Sequence, residues 1–549
     1  MRRPVALLLS AVSLMLAGSC RPGDLLPLPA SATIAPTATP TSTLSPTTTP
    51  TPVTVWISPG LPDRLRASLE ALAADGDTWV SIVADPALAG VRAGPSSEVP
   101  LARWVYVVVT PFPEIEDEIA LSDLEAAWQV LGRVFASDET AAALEGVLGS
   151  VASGSAARLP AEALLDAAWE SRPSLAVVPF ESLEPRWKVI ALDGSSPVRN
   201  DFDPEGYPLA VEFGLSGEPT ALAWVQYLLA TSDGGALAWP PSNRDPSRLT
   251  VVLMTGVTAL ARTTAARIES NGPDYPGLQI ADWLRGADIT HISHEVSFAQ
   301  DCPEPDPYSG NLRMCGQPSH AALFESIGAD VIELTGNHLL DWGVTAFLQT
   351  LDIYTTYGLR TYGGGADLEA ALQPVLLEHN GNRIAFLGCN QPGPDGDWAT
   401  ETHPGAAPCS DPRILPRVTE LRSQGYLPIF TYQWSERYYE LPLPAQIIDF
   451  RAAVDAGAVI VSGSQAHQPQ TFEFYGNRLI HYGLGNLFFD QMWSAATRQE
   501  FLDRHIFYDG RHISTEVLTA MLEDYSQPRP MTPDERRSLL DSIFTASGW

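Results

Sequence analysis

GADVIELTGNHLLDWG, Gly328–Gly343, decides how the second half of this chain is read. Its apolar run, Val331 to Leu334, has strand character, and a polar loop with Gly336, Asn337 and His338 follows at once. Gly328 stands where the preceding helical pattern, HAALFESIGAD, needs a C-cap. Open α/β sheets keep their ligand sites at the carboxyl ends of strands. An Asn-His pair in such a place is a candidate for ligand or metal binding, and the rest of a site must then lie after neighbouring strands.

The same logic recurs on both sides of this stretch. IADWLRGADITHISHEV reads as a helix, a Gly-Ala turn and a strand. ILPRVTELRSQGYLPIFTYQW and IIDFRAAVDAGAVIVSGSQAH repeat it. The spacing predicts an α/β domain beginning at Leu249 with the strand LTVVLM and running to residue 549, with a C-terminal extension. The polar residues that close these strands should converge: Glu295, Asn337, His338, Gln433, Gln465 and His467.

Upstream, short apolar runs alternate with helical patterns from Val53 onward: VTVWI, PDRLRASLEALAA, TWVSIVA, ARWVYVVV, SLAVVPF and WKVIALDG. Alternation of this kind predicts another α/β layer domain, over residues 53–231. Ser122 and Glu125 have the spacing of a capping box. SDGGALAWPPSNRDPSR, over 232–248, is rich in Gly, Pro, Ser and Asp and reads as a linker.

The N-terminus has another character. Arg2 and Arg3 precede an apolar run from Pro4 to Leu16, too short for an ordinary membrane span and suited to a secretory signal over 1–19. Small residues lead directly into Cys20. Residues 20–52 are Pro/Thr/Ser-rich and cannot build a core, so they read as an extended tether. The net charge of -32 and pI near 4.5 argue against a nucleic-acid partner, which requires basic patches. Of five cysteines, four lie beyond Cys20. An even number suits disulfides in an oxidising compartment. Pairing Cys302 with Cys315 and Cys389 with Cys409 closes two short Pro-containing loops.

AGSC, ending at Cys20, resembles a bacterial lipobox, with Ala17 where Leu is the commoner choice. The resemblance implies cleavage before Cys20, acylation of its thiol and an extracytoplasmic, lipid-anchored protein. The texture of residues 53–230 resembles two-lobed periplasmic substrate-binding proteins, without a ligand motif. Residues 249–493 resemble the CapA or PgsA-like proteins of capsule and poly-γ-glutamate synthesis. GADITHISHEV, GADVIELTGNHLLDWG, AGAVIVSGSQAHQPQ and LIHYGLGNLFFDQ carry that resemblance. It implies a calcineurin-like metallophosphoesterase fold.

The family's metal pattern is Gly-Asp, Asn-Leu-Glu, Asn-Asn-His, His-Trp-Gly and Gly-x-His-x-His. Val257 stands in place of the aspartate, Ser293 in place of the first Asn, and Gln433 and Gln465 in place of two histidines. Glu295, Asn337, His338 and His467 are retained. A two-metal site needs bridging and terminal ligands for each ion. Val257 offers no lone pair, and a Gln oxygen is a weaker ligand than imidazole. Glu295, Asn337 and His467 leave room for one divalent ion (manganese, iron or zinc), with His338 as acid. Each residue also has a plainer role. Asn337 and His338 can close a polar loop by hydrogen bonding, Asp341 can cap the next helix, Trp342 and Trp434 can pack, and Tyr482 and Asn486 can shape the cleft floor.

Three functions remain open. The first is a lipid-anchored accessory protein that binds or handles an extracellular polymer, in company with its synthesis or export machinery. The second is a one-metal hydrolase using Glu295, Asn337, His467 and His338. The third is a solute receptor. The lost ligands weaken the second, the third lacks a motif, and the first is favoured.

Overall fold

The computed structural model describes residues 51–95, 98–130, 132–150, 158–231, 239–306 and 312–549. The signal, Cys20 and nearly all of the tether therefore lie outside the described residues, as does the first part of the linker. Among the described residues no helix is long and apolar enough to cross a membrane.

Residues from Val53 to Gly217 build a mixed sheet in the order Val80–Val83, Val53–Ile57, Val91–Pro95, Ala210–Gly217, Val99–Pro111, Leu175–Pro179, Val134–Phe135. Trp187–Val189 pairs with the far end of Val99–Pro111. The helix Asp63–Ala74 forms because Leu65, Leu69 and Leu72 recur at helical spacing and are buried against this sheet. The capping box expected at Ser122 and Glu125 is not made. The helix Leu121–Trp128 starts two residues too early for Ser122 to cap it, and the Leu121 N–H is taken by Asp193 Oδ1 at 3.1 Å. A distant carboxylate thus does the work assigned to a local one.

The second half is a pair of sheets. One runs Arg360–Tyr362, Val331–Glu333, Ile289–His294, Leu249–Thr255, Gln499–Tyr508, Arg511–Glu523, Gln527–Pro530. The other runs Val375–His379, Asn382–Asn390, Leu427–Gln433, Ile460–Ser464, Arg478–His481, Phe472–Tyr475. The strands expected to carry the site are parallel to their neighbours. Ile292 is opposite Ile332, and Gln433 is opposite both Asn390 and Ser464. Their polar ends therefore emerge at one edge. Gly328 does turn the chain out of the helix Ala322–Ser326, with φ 73° and its N–H on Glu325 O.

The C-terminal extension is structural. Gln499–Tyr508 and Arg511–Glu523 form a long hairpin whose first strand lies antiparallel to Leu249–Thr255. Asp509 and Gly510 both take positive φ, 51° and 73°, the turn that Asp-Gly favours in a two-residue hairpin loop. Ile506, Tyr508 and Ile513 of this hairpin, with Leu249 and Val251, are buried in the core of the first sheet. Both expected disulfides are formed: Cys302–Cys315 and Cys389–Cys409, with Cα separations of 5.9 and 4.9 Å.

Candidate functional site

Four strand ends meet. Glu295 follows Ile289–His294, and its N–H is held by Thr258 O at 3.1 Å. Asn337 and His338 follow Val331–Glu333. The turn between them needs glycine, because a Cβ on Gly336 would lie 2.4 Å from the Glu295 Cβ. Gln433 closes its own strand. Gln465 and His467 follow Ile460–Ser464, with φ of 80° and 53°. Left-handed backbone at two non-glycine residues costs on the order of 1–3 kcal/mol each and is typical of functional loops.

The centre is the Gln433 amide nitrogen. It donates toward Glu295 Oε2 at 3.4 Å, Asn337 Oδ1 at 3.2 Å and Gln465 Oε1. Two N–H groups thus face three oxygens, and the amide orientation follows from the acceptors around it, since a carboxylate oxygen would repel the Gln433 oxygen. Glu295 Oε1 and Gln433 Oε1 are buried without a partner among the described residues.

Two satellites flank this centre. His467 Nδ1 is 2.9 Å from Asn486 Oδ1, and the Asn486 amide donates to His467 O, Thr497 O and Gln491 Oε1. The His467 ring lies between Phe489 and Tyr438. His338 Nδ1 is 2.8 Å from Asp341 Oδ2, which also accepts the Met314 N–H. Burial draws the His338 imidazole down, but its bond to Asp341 and the nearby Glu295 carboxylate outweigh that and leave it raised. Behind the centre, Glu333 takes Thr335 Oγ1 at 2.6 Å and lies 3.2 Å from His291 Nε2.

The predicted cleft is more closed than the sequence implied. Glu295, Gln433, Gln465, His467 and Asn486 are buried, and only Asn337, His338, Asp341 and Trp342 are partly exposed. The helix Val344–Thr356 is capped by Gly343 rather than Asp341, whose carboxylate is spent on His338 and Met314. Trp434 packs in the core with its indole N–H on Asp449. Tyr482 turns its hydroxyl to Glu473, away from the cleft. Asn390 and Asp397 went unread. The Asn390 amide donates to Thr335 O at 2.8 Å, and its oxygen accepts from Gly393 N and Trp398 Nε1. Asp397 is pushed up to about 6 by burial and then by Asp341, with His338 opposing. Asn390 ends a strand beside Gln433, so the carboxyl-end rule could have found it.

Among the described residues no three His, Cys, Asp or Glu side chains are gathered as metal ligands. The point on which Glu295, Asn337 and Gln465 converge is filled by an amide nitrogen, and the Val257 side chain is sealed in an apolar cluster with Ala259, Val296, Met314 and Phe489. This donor set does not fit a two-metal centre.

Residues 251–491 match the family described as bacterial capsule synthesis protein PGA_cap. The capsule biosynthesis protein CapA of Bacillus anthracis is 26% identical over 318 residues, covering 57% of this chain and 75% of the relative. The PGA biosynthesis protein CapA of Bacillus subtilis (strain 168) is 26% identical over 236 residues, 43% of this chain and 60% of that protein. Among solved structures, an ABC-type phosphate transport receptor from Vibrio cholerae is similar at 13% identity, covering 33% of this chain and 94% of that one with a TM-score of 0.28.

Proposed function

From the premise that residues 251–491 form a domain of the CapA-like capsule synthesis family, we propose that the chain is an accessory protein of extracellular polymer synthesis that binds polymer and does not cleave phosphoesters by two-metal chemistry. The observation that carries this reading is the Gln433 amide at the focus of Glu295, Asn337 and Gln465. A neutral donor holds together oxygens that would otherwise face a cation.

A polymer surface lies next to the centre. Tyr438 stacks over His467 and meets Trp493 edge-on at 6.0 Å, and Tyr439 and Trp493 are 66% and 62% exposed. Arg437 lies over the Tyr439 ring at 5.1 Å. Ring faces and one guanidinium suit a chain that a protein of net charge -32 would otherwise repel if it were anionic. The protein is held at the cell surface through an acylated Cys20, with the Pro/Thr/Ser-rich segment as spacer. A one-ion hydrolase is the second reading, favoured by the unpartnered Glu295 Oε1.

Titration of purified protein with poly-γ-glutamate oligomers and with a neutral polysaccharide, read by tryptophan fluorescence, tests this. One of them should bind, and Trp493→Ala with Tyr439→Ala should weaken it at least tenfold. Failure of both polymers, together with stoichiometric metal and phosphoester turnover, overturns the proposal in favour of the second reading.

A further inference from the structure

A cavity of about 600 Å³ takes its walls from both α/β regions, a size that suits a small ligand. The helix Leu164–Glu170 supplies Trp169, the strand Phe472–Tyr475 supplies Phe474, and Trp549 follows the helix Pro533–Ala546. All three rings line the cavity and are only partly buried. Phe474 and Trp549 stack at 5.8 Å and 27°, while Trp169 stands at 84° and 86° to them. Rings at right angles form a corner that offers apolar surface in two directions.

Hydrogen-bonding groups share the same wall. Arg451 donates from Nε and from one terminal nitrogen to Glu473 Oε1, at 2.9 and 2.6 Å, and the Tyr482 hydroxyl donates to Glu473 Oε2. A guanidinium carries more N–H groups than that pair uses, and a carboxylate more lone pairs. Arg451 is 45% exposed, so the pair can still donate to and accept from a ligand. The charges, in contrast, are balanced. Arg186, the other arginine of the wall, is held by Asp166 and Glu184, each at 3.1 Å. Arg172 lies over the Trp169 ring at 4.8 Å, outside the wall. Neither arginine of the wall is without a carboxylate, so this surface has little to draw a polyanion to a protein of net charge -32.

The cavity adjoins the aromatic surface already described. Leu441 and Pro442 border both it and a neighbouring cavity of about 500 Å³ lined by Tyr438 and Tyr439. The loop between them is pinned. Gln470 Nε2 donates to Tyr439 O at 3.0 Å, the Thr471 N–H to Glu440 O at 3.1 Å, and Ser542 Oγ to Glu440 Oε1 at 2.8 Å. A surface fixed in advance loses less freedom on binding. We propose that the cavity between Trp169, Phe474 and Trp549 binds a neutral saccharide unit, and that the polymer handled by this protein is a neutral polysaccharide whose next units cross Leu441 to Tyr439. A pyranose has an apolar C–H face to lay on the rings and a belt of hydroxyls to meet Arg451 and Glu473. The continuation past Leu441 rests on the polymer reading above; the cavity itself is separate from the Gln433 centre.

Calorimetric titration of the purified chain with cellobiose, mannobiose and chitobiose, with the matching hexamers, and with a γ-glutamate hexamer as the anionic control, tests this. At least one neutral dimer should bind, and its hexamer should bind about tenfold more tightly because it also reaches Tyr439. Glu473→Gln, which keeps the shape of the side chain, should weaken the dimer about tenfold, with an unchanged melting profile as the check on folding. Leu441→Asp, at a position 57% exposed and so harmless to the core, should remove the advantage of the hexamer, as should Tyr439→Ala with Trp493→Ala. A neutral dimer that binds without any hexamer advantage supports the cavity and refutes the polymer surface. A hexamer that binds where no dimer does overturns the cavity alone. Absence of binding by every neutral sugar, dimer binding unaltered in Glu473→Gln, or displacement of the dimer by the γ-glutamate hexamer also overturns the proposal.

Discussion

The replaced metal ligands can be put back, and the structure says what that costs. In Val257→Asp with Gln433→His and Gln465→His, the carboxylate enters an apolar cluster at a position that is fully buried. The backbone there is clamped: Val257 N–H binds Gly485 O at 3.0 Å and Val257 O accepts Leu487 N–H at 2.7 Å. The new side chain therefore cannot escape by moving the chain. A buried carboxylate without a partner costs about 4 kcal/mol, so in chelator the triple variant should melt well below the parent. Each ion present at a hundred times its Kd returns about 2.7 kcal/mol, so two ions return about 5 kcal/mol and offset the loss. The assay is thermal unfolding of parent and variant in chelator and in excess manganese, with calorimetric stoichiometry. The variant should show a large metal-dependent rise and the parent none. Equal metal responses in the two, or a variant insensitive to metal, would refute the reasoning that these three positions dismantled an otherwise intact centre.

Breaking the buried pair His481–Asp503, 2.6 Å apart and both about 1% exposed, by Asp503→Ala should cost about 3–5 kcal/mol in urea unfolding; a loss under 1 kcal/mol would show that the pair is unimportant. Removing the Cys389–Cys409 bond, which closes a loop over a separation of 20 residues, by double serine substitution should cost about 3 kcal/mol, and mass spectrometry without reduction should find both pairs linked. Asp397 holds its proton more tightly when folded, so its contribution to stability is greatest near pH 4 and declines as pH rises to about 6; Asp397→Asn should remove a decline on the order of 2 kcal/mol across that window, and identical pH–stability curves would contradict the assignment. Cys20→Ser should release the chain from membranes and abolish acyl labelling; unlabelled parent protein that still sediments with membranes would end the lipid-anchor proposal.

The strands that carry the candidate site were legible because short β-branched and apolar stretches follow a helical pattern and a turn and give way to a polar loop, as at Leu334 to Asn337 and Phe430 to Gln433. What could not be read was direction. Nothing in SGSQAH announces that Gln465 and His467 take left-handed backbone, which separates His467 from the amide cluster and gives it to Asn486. Nor does LDWG reveal that Asp341 turns back to His338 and not forward to the helix. The Asp-Gly at 509–510 was a readable hairpin signal that went unused. The pairing of that hairpin with a strand some 250 residues earlier was not readable, because edge preference in a sheet is set by long-range packing that no local pattern records.

That hairpin has a consequence for how the molecule comes into being. Leu249–Thr255 lacks its neighbour on one side until residues 499–508 exist, and the first sheet's core lacks Ile506, Tyr508 and Ile513 until the same moment. A nascent chain several hundred residues long is thus left with an unpaired strand edge and an unfilled apolar face. Both halves draw on the same late hairpin, so a chain interrupted before it leaves one sheet short of a paired strand and the other short of core side chains.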